Sequence, residues 1–188
     1  MPPKVKIDKD NIIKAAVQIV RERGIDALNA RAVAQKLNCS TQPIFSNYDS
    51  MNELKKDVMN YAEKIYLDYV YKGIKSNEFP PYKGSGMAYI RFAEEEKEFF
   101  KFLFMRDRSN EKIKGTAEGE EIISLIQKNT GLDREQAFMF HLEMWVYVHG
   151  IAVMIATSYL DWNWDMISQM LTDAYEGMKM NYLKKGDN

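Results

Sequence analysis

The stretch QKLNCSTQPIFSNYDS, residues 35–50, decides how this chain is read. It sets the only cysteine, Cys39, a proline and a row of small polar side chains between two segments of helical character. No lysine or arginine occurs between Lys36 and Lys55. Asn38 stands where a turn needs a residue tolerant of positive φ. With Ser40 or Thr41 as N-cap, Pro43 falls in a first helical turn, where its missing N–H costs little. The proline therefore starts a short helix, with Ile44 and Tyr48 four apart on its inner side. Ser50 and Glu53 form a Ser-x-x-Glu capping box for a further helix.

Working upstream, Asp8 is a plausible N-cap, with Ile7 and Ile12 placed as a hydrophobic staple. Ile12, Ile13, Ala16, Val17 and Val20 share one helical face, and Gly24 is expected to close it as a left-handed cap. A second staple pairs Leu28 with Val33 across the N-cap Asn29, and the short helix that follows is expected to bury Val33, Ala34 and Leu37. Downstream, the helix opened by Ser50 is expected to reach about 72, with Leu54, Val58, Tyr61, Ala62, Ile65 and Tyr69 on one side. At about 1.5 Å per residue it spans roughly 30 Å.

The segment KGIKSNEFPPYKGSG (72–86) is punctuated by Gly and Pro and reads as a loop. Residues 87–105 read as helical, in one or two pieces, and 106–116 as a charged loop. A helix is expected over 118–129, closed by Gly131. Asp133 and Gln136 cap a long one to about 159, and Asn163 starts the last, to about 183. No strand-like alternation persists, so the fold class is all-α.

The 188 residues suit one large domain or a small one joined to a larger. Residues 1–60 carry ten Lys and Arg against seven Asp and Glu, while the rest carry 16 against 20. Any anionic partner is therefore expected at the N-terminal third. One cysteine excludes an internal disulfide framework or a Cys-rich metal site and points to a reduced compartment. The N-terminus has no apolar signal-peptide core, and the uncharged run 144–160 is marginal for a membrane span. The expected localisation is cytoplasmic, without a membrane partner.

Three short capped helices before a long one, with a tight turn at 38–40, describe a helix-turn-helix. Short uncharged side chains at the leading end of the third helix can donate, accept or touch a thymine methyl without holding the helix away from base edges. Flanking cations would supply the backbone grip. The candidate DNA contacts are Arg31, Ser40, Thr41, Gln42, Phe45, Ser46, Asn47, Tyr48, Lys55 and Lys56, with Lys36 nearby. From spacing alone, a helical corner with merely solvated polar residues remains open.

Residues 8–60 resemble the DNA-binding domain of the tetracycline-repressor (TetR) family of bacterial regulators, through GIDALNARAVAQKLNCSTQPIFSNYDSMNEL. The carrying positions are the Gly after helix one, Arg31 and Ala34, Phe45 and Tyr48, and Leu54. Three positions depart from the pattern. The usual turn glycine is Asn38, the usual Tyr-x-His-Phe reads Phe45-Ser46-Asn47-Tyr48, and the lysine common at the next helix start is Met51. Backbone clamping then falls to Lys55 or Lys56. Trp145 with His149 and Gly150 resembles the Trp-x-x-x-His-Gly motif of the regulatory domain in some members.

The resemblance implies a helix-turn-helix DNA-binding domain at 1–50. A long helix joins it to a helical effector-binding and dimerisation domain at 51–188. It further implies a homodimer through the last two long helices, operator DNA as partner and a small-molecule effector in the C-terminal part. The expected function is a transcriptional regulator, a repressor released by its effector. A same-fold regulator without effector, or a helical protein-interaction module, is the alternative. The aromatic and Met-rich C-terminal set is mostly expected as core, with Phe92, Phe100, Phe104, Met144, Trp145 and His149 as candidate pocket residues. His141 and His149, eight apart, suit packed histidines better than a metal pair. No catalytic constellation, phosphate loop or dinucleotide fingerprint is present in the sequence, so neither an enzyme, a cofactor nor a metal is expected.

Overall fold

A computed structural model describes residues 7–109, 117–159 and 161–186. Among these the chain forms nine α-helices, one 3-10 turn and no strand. They are α1 (Lys9–Arg23), α2 (Ala30–Lys36), α3 (Gln42–Asn47), α4 (Met51–Lys75), α5 (Pro81–Glu95), α6 (Lys97–Phe104), α7 (Ala117–Thr130), α8 (Arg134–Ala156) and α9 (Trp164–Gly186). The 3-10 turn, Ile25–Ala27, joins α1 to α2. Two compact units result. One comprises Met1–Tyr66 with Glu96–Arg106, the other Leu67–Glu95 with Asp107–Asn188.

In the first unit the caps form where local spacing puts them. Asp8 accepts from the Asn11 N–H at 2.9 Å, and the Asn11 side chain returns a bond to the Asp8 backbone. Asn29 accepts from the Ala32 N–H at 3.0 Å. Gly24 differs from expectation. Its φ is +80° but its ψ is 170°, an extended glycine conformation and not a left-handed helical one. An added Cβ would stand 2.7 Å from Glu98 Oε2. Ile12, Ile19, Val20, Val33, Ile44, Leu54 and Val58 are fully buried and form the core, whereas Leu37 is only half-buried. Burying one such aliphatic side chain contributes about 1.5–3 kcal/mol.

Helix α6 belongs to this unit. It packs on α1, burying Phe99 and Phe100 completely. Arg21 holds both carboxylate oxygens of Glu96 at 2.8 Å and lies 5.3 Å over the Phe99 ring. Phe104 meets Tyr66 edge to face at 5.1 Å.

The expected loop at 72–86 is mostly helix. Helix α4 continues to Lys75 and Pro81 occupies the first turn of α5, leaving only 76–80 outside regular structure. The glycines that read as loop signals serve close packing. A Cβ on Gly73 would fall on the Gly84 carbonyl oxygen, and one on Gly84 would fall on the Gly73 carbonyl oxygen. The buried residues of α4 (Leu54, Val58, Ala62, then Val70 and Ile74) keep steps of four or twice four. Such a stripe drifts by about 40° per step of four, and Tyr61, expected inside, is 42% exposed.

In the second unit α8 buries Ala137, Phe140, Met144, Val148, Ile151, Ala152 and Ile155, packing mainly on α5 and α7. It is long and apolar enough to cross a membrane by composition, but this buried face makes it the central helix of a folded unit. It stops at Ala156, short of the expected 159. Ser158 takes φ +54°, and the Tyr159 and Ser158 N–H groups bond back to Met154 and Ile155. That is a Schellman closure. The Asp133–Gln136 capping box and the Asn163 cap form as expected.

Candidate nucleic-acid interface

The turn between α2 and α3 is a second Schellman closure. Asn38 sits at φ +51°, its N–H bonds to the Gln35 carbonyl, and the Cys39 N–H bonds to the Ala34 carbonyl at 2.9 Å. Asparagine tolerates this conformation better than most residues because its short polar side chain can bond locally. Thr41 then precedes α3 as N-cap without a side-chain capping bond, and Pro43 lies in the first turn.

Helix α3 is sorted by its 3.6-residue period. Ile44 is fully buried and Tyr48 nearly so, whereas Phe45 is 53% exposed and faces outward. Gln42 and Ser46 share that outward face, and Ser40 precedes it, also exposed. The Ser46 hydroxyl donates to the Gln42 carbonyl at 3.0 Å, and the Asn47 amide donates to the Pro43 carbonyl at 2.8 Å. These bonds hold both side chains against their own helix.

Tyr48 was expected among the DNA contacts, and its ring lies in the core. Its hydroxyl donates to Asp57 Oδ2 at 3.1 Å, and burial pushes its pKa up. Lys9 lies 4.4 Å over the same ring and reaches Glu53 at 3.1 Å and Asp57 at 3.7 Å. The Asp49 backbone N–H, helped by Lys9, holds the Glu53 carboxyl below its usual range. Ser50 accepts from the Glu53 N–H at 3.3 Å, so Glu53 closes its box on Asp49 instead of on Ser50. This cluster ties the ends of α3 and α1 to the start of α4. Sequence reading had no signal for Lys9, because its partners lie 39 or more residues away.

Of the cations, Arg31 at the second position of α2 and Lys56 on α4 are exposed, and Lys55 is half-buried. Lys36 pairs with Glu22 at 3.6 Å. The basic groups thus come from α2 and α4, none from α3 itself.

The six candidate pocket residues divide between the units. Phe100 and Phe104 lie on α6 in the first, 5.4 Å apart. Phe92, Met144, Trp145 and His149 lie in the second. There Trp145 stacks on His149 at 4.9 Å, and His149 Nδ1 shares a 2.9 Å hydrogen bond with the Tyr89 hydroxyl. One turn pair earlier, His141 Nδ1 shares a 3.2 Å bond with the Tyr82 hydroxyl. Helices α5 and α8 run in the same direction through these two rungs. Burial lowers the pKa of both histidines. Among the described residues, two of the recesses lie in this unit. One, of about 460 Å³, is lined by Ile123, Phe138 and His141 with Arg134 and Glu120 among its polar residues. The other, of about 410 Å³, lies at the Gly73–Gly84 crossing with Lys72 and Arg91. None of the six lines either recess.

The chain is similar in fold to a TetR-like transcriptional regulator from Rhodococcus sp. RHA1. The TM-score is 0.64 with 13% identity over 98% of each chain. The chain has the TetR-like fold. A member of the TetR family from Streptomyces coelicolor A3 matches 88% of this chain and 96% of its own at TM-score 0.59 and 16% identity. In sequence, an uncharacterized HTH-type transcriptional regulator of Mycobacterium tuberculosis is 22% identical over 160 residues, 83% of this chain and 73% of the relative. No family model matches. In the TetR-like frame, α2 and α3 are the helix-turn-helix and α4 is the long helix that follows it.

Proposed function

We propose that this chain is a sequence-specific DNA-binding transcriptional regulator, working in the cytoplasm as a repressor released by a small-molecule effector. Residues 1–50 read the DNA and residues 51–188 carry dimerisation and effector response. The observation that carries this reading is the outward face of α3. A half-exposed phenyl group and short polar side chains project from a helix whose opposite face is locked into a core. Cations on α2 and α4 supply the charge that phosphates need.

A homodimer through α8 and α9 is supported by the apolar groups those helices leave in solvent. On α8, Phe138, Met139, Leu142, Trp145 and Val146 recur at helical spacing, each 39% exposed or more. On α9, Met166, Met180 and Leu183 are also exposed. A stripe of this length on one face marks an interaction surface, and a second copy presenting the same stripe would cover it. Two α3 helices would then enter successive major grooves of a pseudo-palindromic operator. An effector in the C-terminal domain would favour the conformers that cannot bind both half-sites.

The test is a gel-shift titration with the duplex upstream of the protein's own gene. Specific retardation, lost on replacing Arg31 and Gln42 with Ala, is expected. Absence of sequence-selective binding across a panel of metabolites would overturn the reading in favour of a protein-interaction module.

A further inference from the structure

We infer that the reading face of α3 is built for adjacent A·T pairs, with Gln42 recognising an adenine edge and Phe45 packing on a thymine methyl. This rests on the DNA-binding reading above and adds the chemistry of the operator.

The inference begins with what the face lacks. Residues 37–54 contain no Lys or Arg, so the bidentate arginine or lysine contact that most often selects guanine cannot come from α3 or its turn. Next comes what is already engaged. Ser46 and Asn47 donate to the Gln42 and Pro43 carbonyls of their own helix. The Ser46 hydroxyl proton and one of the two Asn47 amide protons are thereby engaged, and Asn47 is half-buried.

Gln42 and Phe45 are the longest side chains left on the outward face, beside the short hydroxyls of Ser40 and Thr41 that precede the helix. The two longer ones stand three residues apart on one face, both exposed, with Phe45 at 53%. A carboxamide offers one donor group beside one acceptor. Adenine presents the complementary pair, the N7 acceptor and the N6 amino donor, in the major groove. Guanine presents two acceptors there, and the amide oxygen would face one of them. The phenyl group has a single apolar counterpart in that groove, the C5-methyl of thymine. Side chains three residues apart on a helix stand about 5–6 Å apart at Cβ, so on a helix lying in the major groove they reach neighbouring base pairs. Both are exposed and take no part in the core, so changing them leaves the fold in place.

The experiment selects binding sites for the full-length protein from a random duplex library. Anisotropy titrations on the selected duplex then follow at one fixed salt concentration. Enriched half-sites containing two adjacent A·T pairs are expected. Replacing the contacted thymine with deoxyuridine, which removes only the methyl, should weaken the wild-type protein about fivefold or more. The same replacement should leave Phe45→Ala unchanged. Gln42→Ala should bind all four pairs at its position about equally while keeping the wild-type salt dependence, since no phosphate contact is lost. Enriched half-sites with G·C pairs at the Gln42-sensitive position, or a wild-type protein indifferent to deoxyuridine, would overturn this inference while leaving DNA binding intact. Failure to enrich any sequence would overturn the DNA-binding reading and this inference with it.

Discussion

Gly73 and Gly84 meet backbone to backbone where α4 passes α5, the carbonyl of each occupying the space a Cβ on the other would need. A Cβ at Gly73 would lie 2.6 Å from Ala88 Cβ and would overlap the Gly84 carbonyl oxygen. Backbone cannot step aside as a flexible side chain can. Gly73→Ala or Gly84→Ala is therefore expected to destabilise the second unit by about 3 kcal/mol. Gly86, two residues on, behaves oppositely. A Cβ there meets Val148 Cγ2 at 3.5 Å and Leu171 Cδ1 at 3.7 Å, ordinary contacts. Gly86→Ala should stabilise by about 0.5–1 kcal/mol through helix propensity. Urea unfolding of the three variants checks the contrast, and equal effects at all three sites would refute it.

The two tyrosine–histidine rungs, Tyr82–His141 and Tyr89–His149, give a pH dependence with a definite sign. Burial lowers both histidine pKa values below the ordinary 6.5. The unfolded chain therefore binds protons that the folded one resists. Stability from these sites is complete above 6.5 and is lost as pH falls through 6.5 towards the lowered folded values. Thermal unfolding should show a fall between about pH 7 and pH 5.5. The His141→Gln, His149→Gln variant should lose that slope, and a wild-type curve flat over the interval would contradict the account.

At the α2–α3 turn, Asn38 holds φ +51° to close the Schellman motif. Asn38→Ala puts an ordinary side chain into the left-handed region, at a cost of about 1 kcal/mol. Asn38→Gly removes the steric conflict and should leave stability near wild type. Comparing both by chemical denaturation decides whether this backbone conformation, and not the amide group, is what the position requires.

Val146 is 60% exposed and Leu142 42% exposed on the same stripe of α8. Leu142→Glu with Val146→Glu should convert a dimer into a monomer while the helical circular dichroism is retained. Sedimentation velocity reads the outcome. A wild-type chain that sediments as a monomer at micromolar concentration would remove the dimer from the proposal.

Removing single cations should separate grip from reading. Arg31→Ala and Lys56→Ala are expected to weaken binding to all duplexes alike, each reducing the slope of log affinity against log salt by about 1. A change in sequence preference in either variant would place that side chain on bases instead of phosphates.

What the sequence determined by itself was most of what is governed by bonds across three to five residues, Gly24 and the end of α8 being exceptions. The caps at Asp8, Asn29, Asp133 and Asn163, the proline start of α3 and the positive φ of Asn38 all follow from local spacing, and so does the all-α class. Tertiary structure decided which member of an ambiguous residue type does what. Spacing puts Tyr48 beside Ile44 on the inner side of α3 yet leaves it a candidate DNA contact; the packing of the unit, with its hydroxyl on Asp57, is what takes the ring out of reach. Glycine reads alike whether it breaks a helix or lets two helices touch, and only the approach of α5 to α4 makes Gly73 and Gly84 the second kind. The assignment of α6 to α1 rests on Arg21 and Glu96, 75 residues apart. No local pattern encodes such a pairing, because its free energy exists only once the chain has brought the two together.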